Sequence, residues 1–122
     1  MLIIVDAANV VGSVPDGWWR DRVGAVERLR DALSAAGTAA LPGADADAEI
    51  LLVVEGAARR VPGAPGVRVI AAEDSADDTI VELCRRNRHG ETVVVTADRV
   101  LRERVRELGA RVVGPRALMV DR

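Results

Sequence analysis

Asp6, Glu55, Asp74, Asp77, Asp78 and Asp98 share a position in the sequence: each follows a short aliphatic run. Asp6 ends "LIIV" (2–5), and Glu55 ends "EILLVV" (49–54). Asp74, Asp77 and Asp78 come after "VRVI" (67–70), and Asp98 comes after "TVVVTA" (92–97). A carboxylate beside a buried apolar run is costly unless something compensates it. Carboxylates brought together repel, so they need a cation or must bind protons. Their oxygens are hard ligands, suited to Mg²⁺ or Mn²⁺. An ion held by few carboxylates keeps positions for water and phosphate oxygens, the arrangement that phosphodiester hydrolysis uses. With one Cys and one His in the chain, no zinc set is available.

Each of these residues also has a plainer reading. Ser75 to Asp78 fits a capping box at a helix start, and Asp77 and Asp78 suit the helix dipole there. Asp98 suits an N-cap, Asn9 an Asx-turn, and Thr96 a simple strand former. Asp6 has no such structural role. His89 reads as a helix C-terminal cap, and Arg85, Arg86 and Arg88 as complements of the same dipole. Cys84 falls on an apolar helix face, and Trp19 follows a helical period that points it at the core.

The aliphatic runs that must position the acids lack polar alternation, as in a parallel sheet covered on both faces. Five strands are expected, at 2–5, 49–54, 67–70, 92–97 and 110–113. Helices are expected from Asp16 as N-cap to about Ala36, over 76–88 and over 98–108. Leu101, Val105 and Leu108 would face inward on the last. Gly37 and Gly109 end helices, and 40–49 and 56–66 read as loops, so the second crossover lacks a helix. Strands alternating with helices predict an α/β chain, a doubly wound three-layer sandwich whose active crevice lies at the strand carboxyl ends.

The 122 residues predict one domain, 1–122, large enough to bury roughly 65–70% of its unfolded surface. A single cysteine excludes an internal disulfide, no signal peptide is evident, and no aliphatic run spans a bilayer. A cytoplasmic protein with no membrane partner is expected. The net charge of −2 gives no global basic footprint for nucleic acid. All 17 basic residues are arginine, and Phe and Tyr are absent, so the core must be aliphatic.

The segments "VDAANVVGS", "EGAAR", "SADDTIVELCRR" and "VVVTADRVLRERVRELGARVVG" together resemble the NYN domain group of the PIN-like nuclease superfamily, closest to YacP-like bacterial NYN proteins. The resemblance runs from the first strand to about residue 118. It implies a PIN-like α/β/α sandwich of strand order 3-2-1-4-5 and a Mg²⁺- or Mn²⁺-dependent ribonuclease acting on RNA. Asp6 and Asn9 match the D-x-x-N signature, Asp77 the acid of the "AD" at the central helix with Asp78 beside it, and Thr96 and Asp98 the T-x-D motif. By this resemblance Asp6, Asp77, Asp78 and Asp98 are the metal ligands, and Asn9 and Thr96 orient ligands or a phosphate oxygen. Arg22, Arg59 and Arg60 are candidates to guide single-stranded or structured RNA. Glu55 stands where the family often has "FDG", and the family's frequent aromatics are missing. A homodimer is left open.

Other acidic α/β scaffolds fit less well. A receiver domain needs a lysine, which the chain lacks; a haloacid-dehalogenase-type phosphatase needs an aspartate where Ala8 stands. Phosphate-cradling glycine loops need more than Gly12 after the first strand. Two functional alternatives stay open: a catalytically silent module binding RNA or a protein, and a hydrolase of small nucleotides or phosphoesters.

Overall fold

The computed structural model describes residues 1–87 and 90–120, so the expectations placed on Arg88 and His89 lie outside the described residues. Strand β1 (Leu2–Asp6) runs straight into helix α1 (Ala7–Gly12). A 3₁₀ turn at Trp18–Arg20 leads into α2 (Arg22–Ala36), followed by β2 (Glu49–Val54). A second 3₁₀ turn, Gly56–Arg60, connects β2 to β3 (Val67–Ala71). Then come α3 (Ala76–Arg86), β4 (Thr92–Val95), α4 (Arg99–Glu107) and β5 (Arg111–Val113).

The five strands form one parallel sheet in the order β3-β2-β1-β4-β5. The strand period of two splits the core. Ile3, Val5, Leu52, Val54, Val93 and Val95 face α1 and α2, where they meet Val10, Val26, Leu29 and Leu33. Ile4, Leu51, Val53 and Val94 face α3 and α4, where they meet Ile80, Cys84, Leu101 and Val105. The result is the expected three-layer sandwich. The crossover from β2 to β3 holds only the 3₁₀ turn, in line with its Gly- and Pro-rich sequence. Among the described residues no helix is long and apolar enough to cross a membrane.

Several local expectations are corrected. The apolar residues after Asp6 form α1, so Asn9 sits in a helix rather than an Asx-turn. The helix expected from Asp16 starts later: Asp16 accepts the Trp18 N–H at 3.2 Å in the 3₁₀ turn, and Asp21 caps α2 through the Gly24 N–H at 2.9 Å. Trp19 is therefore out of the helical period and exposed, and Trp18 packs against the core instead. Leu108 is exposed because α4 has already ended. Gly109, at φ 87°, closes that helix: its N–H bonds Arg106 and the Ala110 N–H bonds Val105, freeing the chain to enter β5.

Leu29→Ala, at a fully buried position of α2, is expected to cost about 2–5 kcal/mol in unfolding free energy. Leu108→Ala is expected to cost under about 0.5 kcal/mol. Urea denaturation of both variants checks this; equal losses would contradict the described packing.

Candidate active site

Strand periodicity also sets which acids meet. Asp6 follows Ile4 on its face of the sheet, Glu55 follows Val53, and Thr96 follows Val94, so all three project toward the α3 and α4 layer. The register reinforces this, with Asp6 beside Val53 and Val5 beside Val95. The switch point of the sheet, where β1 lies between β2 and β4, thus collects the three side chains.

Asp6 is 4% exposed. Its Oδ2 accepts the Thr96 hydroxyl at 3.0 Å, and Thr96 Oγ1 in turn accepts the Asp98 N–H at 3.1 Å. One hydroxyl therefore ties the end of β1 to the start of α4. Burial pushes the Asp6 carboxyl up from 3.8 to about 6. The Thr96 bond opposes that rise, while the charges of Asp77 and Glu55 add to it. The Asn9 N–H lies near enough to lower it slightly but makes no cap bond. Asn9 holds the site from the other side: its Oδ1 accepts the Ala97 N–H at 2.8 Å.

Asp77, in the first turn of α3, is also raised, by burial first and then by the charges of Asp98 and Glu55, with Arg104 opposing. Asp98 caps α4, its Oδ1 accepting the Leu101 N–H at 2.9 Å. Glu55 accepts the Ala76 N–H at 2.9 Å and so pins the start of α3 to the end of β2. Asp6, Asp77, Asp98 and Glu55 form one electrostatic group.

Other expected site residues lie apart. Asp78 turns to α4, where it pairs with Arg104 at 3.1 Å, both groups well exposed. Its N–H completes only half of a capping box, bonding Ser75 at 3.3 Å. Arg22 opens α2 with its guanidinium 5.5 Å from the Trp18 ring centre. Arg59 and Arg60 line a surface depression with Gly56, Ala57 and Ala71, beyond Glu55. Arg85 and Arg86 both pair with Glu82. Sequence reasoning passed over Arg104 as the cation facing Asp77, although it lies six residues after Asp98 on the same helix. Glu55, which the resemblance places only where the family often has "FDG", joins the acids through the alternation from Val53.

The donor set suits a hard divalent cation: carboxylate oxygens whose mutual repulsion an ion would relieve. Against that, among the described residues no three acidic, His or Cys side chains are already gathered around one point. Carboxylate rotation is therefore part of any binding of an ion by Asp6, Asp77 and Asp98.

The raised Asp6 pKa has a sign that stability measurements can read. Between pH 4 and about 6 the folded chain keeps a proton on Asp6 that the unfolded chain has lost. Stability therefore falls as pH rises through that window and stays lower above it, by about 3 kcal/mol at most. Asp6→Asn removes this loss. In metal-free urea denaturation, the stability of Asp6→Asn relative to wild type should grow from pH 4 to pH 6 and then level off. A difference independent of pH would contradict the buried, repelled carboxylate.

No protein-family model matches the sequence, and no curated protein matches it. Among solved structures, the crystal structure of Rae1 (YacP) from Bacillus subtilis, a W164L mutant, matches with a TM-score of 0.69. The match covers 96% of this chain and 70% of that one at 17% identity. At that identity the likeness is one of fold: the chain shares the three-layer α/β architecture of Rae1 (YacP).

Proposed function

We propose that the chain is a divalent-metal-dependent ribonuclease of the bacterial, cytoplasmic kind that its motifs resemble. The observation that carries the reading is Asp6. A carboxylate 4% exposed, at the end of the central strand and repelled by Asp77 and Glu55, is a costly arrangement for which the one bond from Thr96 compensates only in part. The shared fold with Rae1 (YacP) supports the reading.

In this reading Asp6, Asp77 and Asp98 hold the cation. Thr96 engages one oxygen of Asp6, and Asn9 holds the backbone at Ala97 that leads into Asp98. Glu55 holds α3 in place and adds negative charge at the rim. Bound Mg²⁺ or Mn²⁺ would supply Lewis acidity toward a phosphodiester oxygen and acidify a water. Asp78 stands outside this set because its carboxylate is engaged with Arg104. A second reading, an RNA-binding module that does not cut, is favoured by one observation: the acids are not already converged on one point.

Labelled single-stranded and structured RNA, incubated with Mn²⁺, Mg²⁺ or EDTA, separates the two. Wild type should cut with either metal and not in EDTA. Asp6→Asn and Asp77→Asn should lose at least about 100-fold in kcat/KM, and Asp78→Asn less than about 10-fold. Binding of RNA by a folded protein that cuts with neither metal would move the assignment to the silent module. Cleavage only of small phosphoesters would move it to a small-molecule hydrolase.

A further inference from the structure

Helix α4 carries Arg99, Arg102 and Arg106, and steps of three and four residues keep them on one side of it. Leu101 and Val105 mark the side that faces the sheet, and Arg104, paired with Asp78, marks the side that faces α3. The three arginines therefore lie on the flank turned away from α3, over the edge of the sheet that β5 forms. The row begins one residue after Asp98 and runs about 10 Å along the helix.

These cations have no partners of their own. Arg99 and Arg106 are exposed and Arg102 is half-buried. Among the described residues none of the three side chains makes a hydrogen bond or an ion pair, and Glu103 and Glu107 of the same helix pair with none of them. By contrast Arg85, Arg86, Arg104 and Arg111 each meet a carboxylate. Arg102 is the sharper case. Its Nε is buried without a hydrogen-bond partner, the one such side-chain nitrogen or oxygen among the described residues. A buried donor left without an acceptor is costly, and native structures keep few of them. A long side chain on a helix leans toward the helix N-terminus, which here is the Asp98 end.

An orphan donor within a row of guanidinium forks calls for an anion that offers several oxygens along a line. A nucleic-acid backbone is such an anion. It is also one that Asp6, Asp77 and Glu55 repel, so cations outside the acid group must draw it in. We infer that the Arg99–Arg102–Arg106 flank of α4 is a second contact site for the phosphates of the RNA strand, beside the phosphate held at the acidic end, and that Arg102 Nε finds its acceptor there. The inference rests on the nuclease reading of that end and adds the path by which the strand leaves it.

The test is the salt dependence of binding, measured apart from cleavage. A fluorescein-labelled ten-nucleotide single-stranded RNA is titrated in EDTA by anisotropy between about 50 and 200 mM KCl. Each phosphate contact contributes about 0.7 to the slope of log affinity against log salt for a single strand. Arg102→Gln should flatten the slope by about 0.7, and the triple variant Arg99→Gln, Arg102→Gln, Arg106→Gln by about 2. Arg68→Gln, on the opposite edge strand β3, should leave it as in wild type. Should the variants at Arg102 fail to fold, the double variant at the exposed Arg99 and Arg106 decides, with a flattening of about 1.4. An unchanged slope, an equal change in Arg68→Gln, or no binding of the RNA overturns the inference, and metal-dependent cutting lost in Asp6→Asn would then leave the nuclease reading standing. A flattened slope in a protein that cuts with no metal keeps the phosphate contacts and removes the nuclease reading.

Discussion

Everything at the strand carboxyl ends depends on how a buried carboxylate is tolerated. Asp6 sits where β1 gives way to α1, and the Thr96 hydroxyl is its partner at 3.0 Å. The same oxygen accepts the Asp98 N–H, which places the cap of α4. A single hydroxyl thereby couples the central strand, its neighbour β4 and the helix that follows. The neighbours of Asp6 are arranged against it. Glu55 reaches it from β2 and Asp77 from α3, and both push its pKa up further. Partly buried acids that repel one another are what a functional site shows more often than a structural one. Arg104 offsets part of the charge on Asp77 but pairs with Asp78 at the surface.

The remainder of the fold is support. The aliphatic strands bury both faces of the sheet, so the backbone that carries Asp6, Glu55 and Thr96 has little freedom to move. Helix starts do the rest of the positioning. α3 is tied to β2 through the Glu55 to Ala76 bond, and α4 is tied to β4 through Asp98 and Thr96. The acids are thus placed by the rigid elements, with side-chain rotation the freedom left for ligand binding. Asn9 adds a cross-tie from α1 to the chain at Ala97.

Much of this was legible in the sequence because it follows from periodicity. Unbroken aliphatic runs marked the buried parallel strands, and helix-period segments marked the layers around them. Gly109 marked the end of α4 because that turn needs a positive φ. Asp6 stood out because nothing local explains a carboxylate there. What stayed hidden depends on contacts between distant segments. Nothing local says that Asp78 finds Arg104 or that Asn9 finds Ala97, 88 positions away. α1 was missed because six residues carry too little period to be read as a helix. Trp19 was misplaced because the 3₁₀ turn at Trp18–Arg20 shifts the helical phase, exchanging which tryptophan meets the core.

The central claim is that Asp6, Asp77 and Asp98 at the strand ends bind a divalent cation. Isothermal titration of Mn²⁺ into the metal-free protein tests it most directly, at pH 8 and pH 6, with wild type and Asp6→Asn. The account expects saturable binding at pH 8 that Asp6→Asn abolishes. At pH 6, where Asp6 is half protonated, wild type should bind more weakly and release a proton. No saturable binding to wild type, or equal binding by Asp6→Asn, would contradict it.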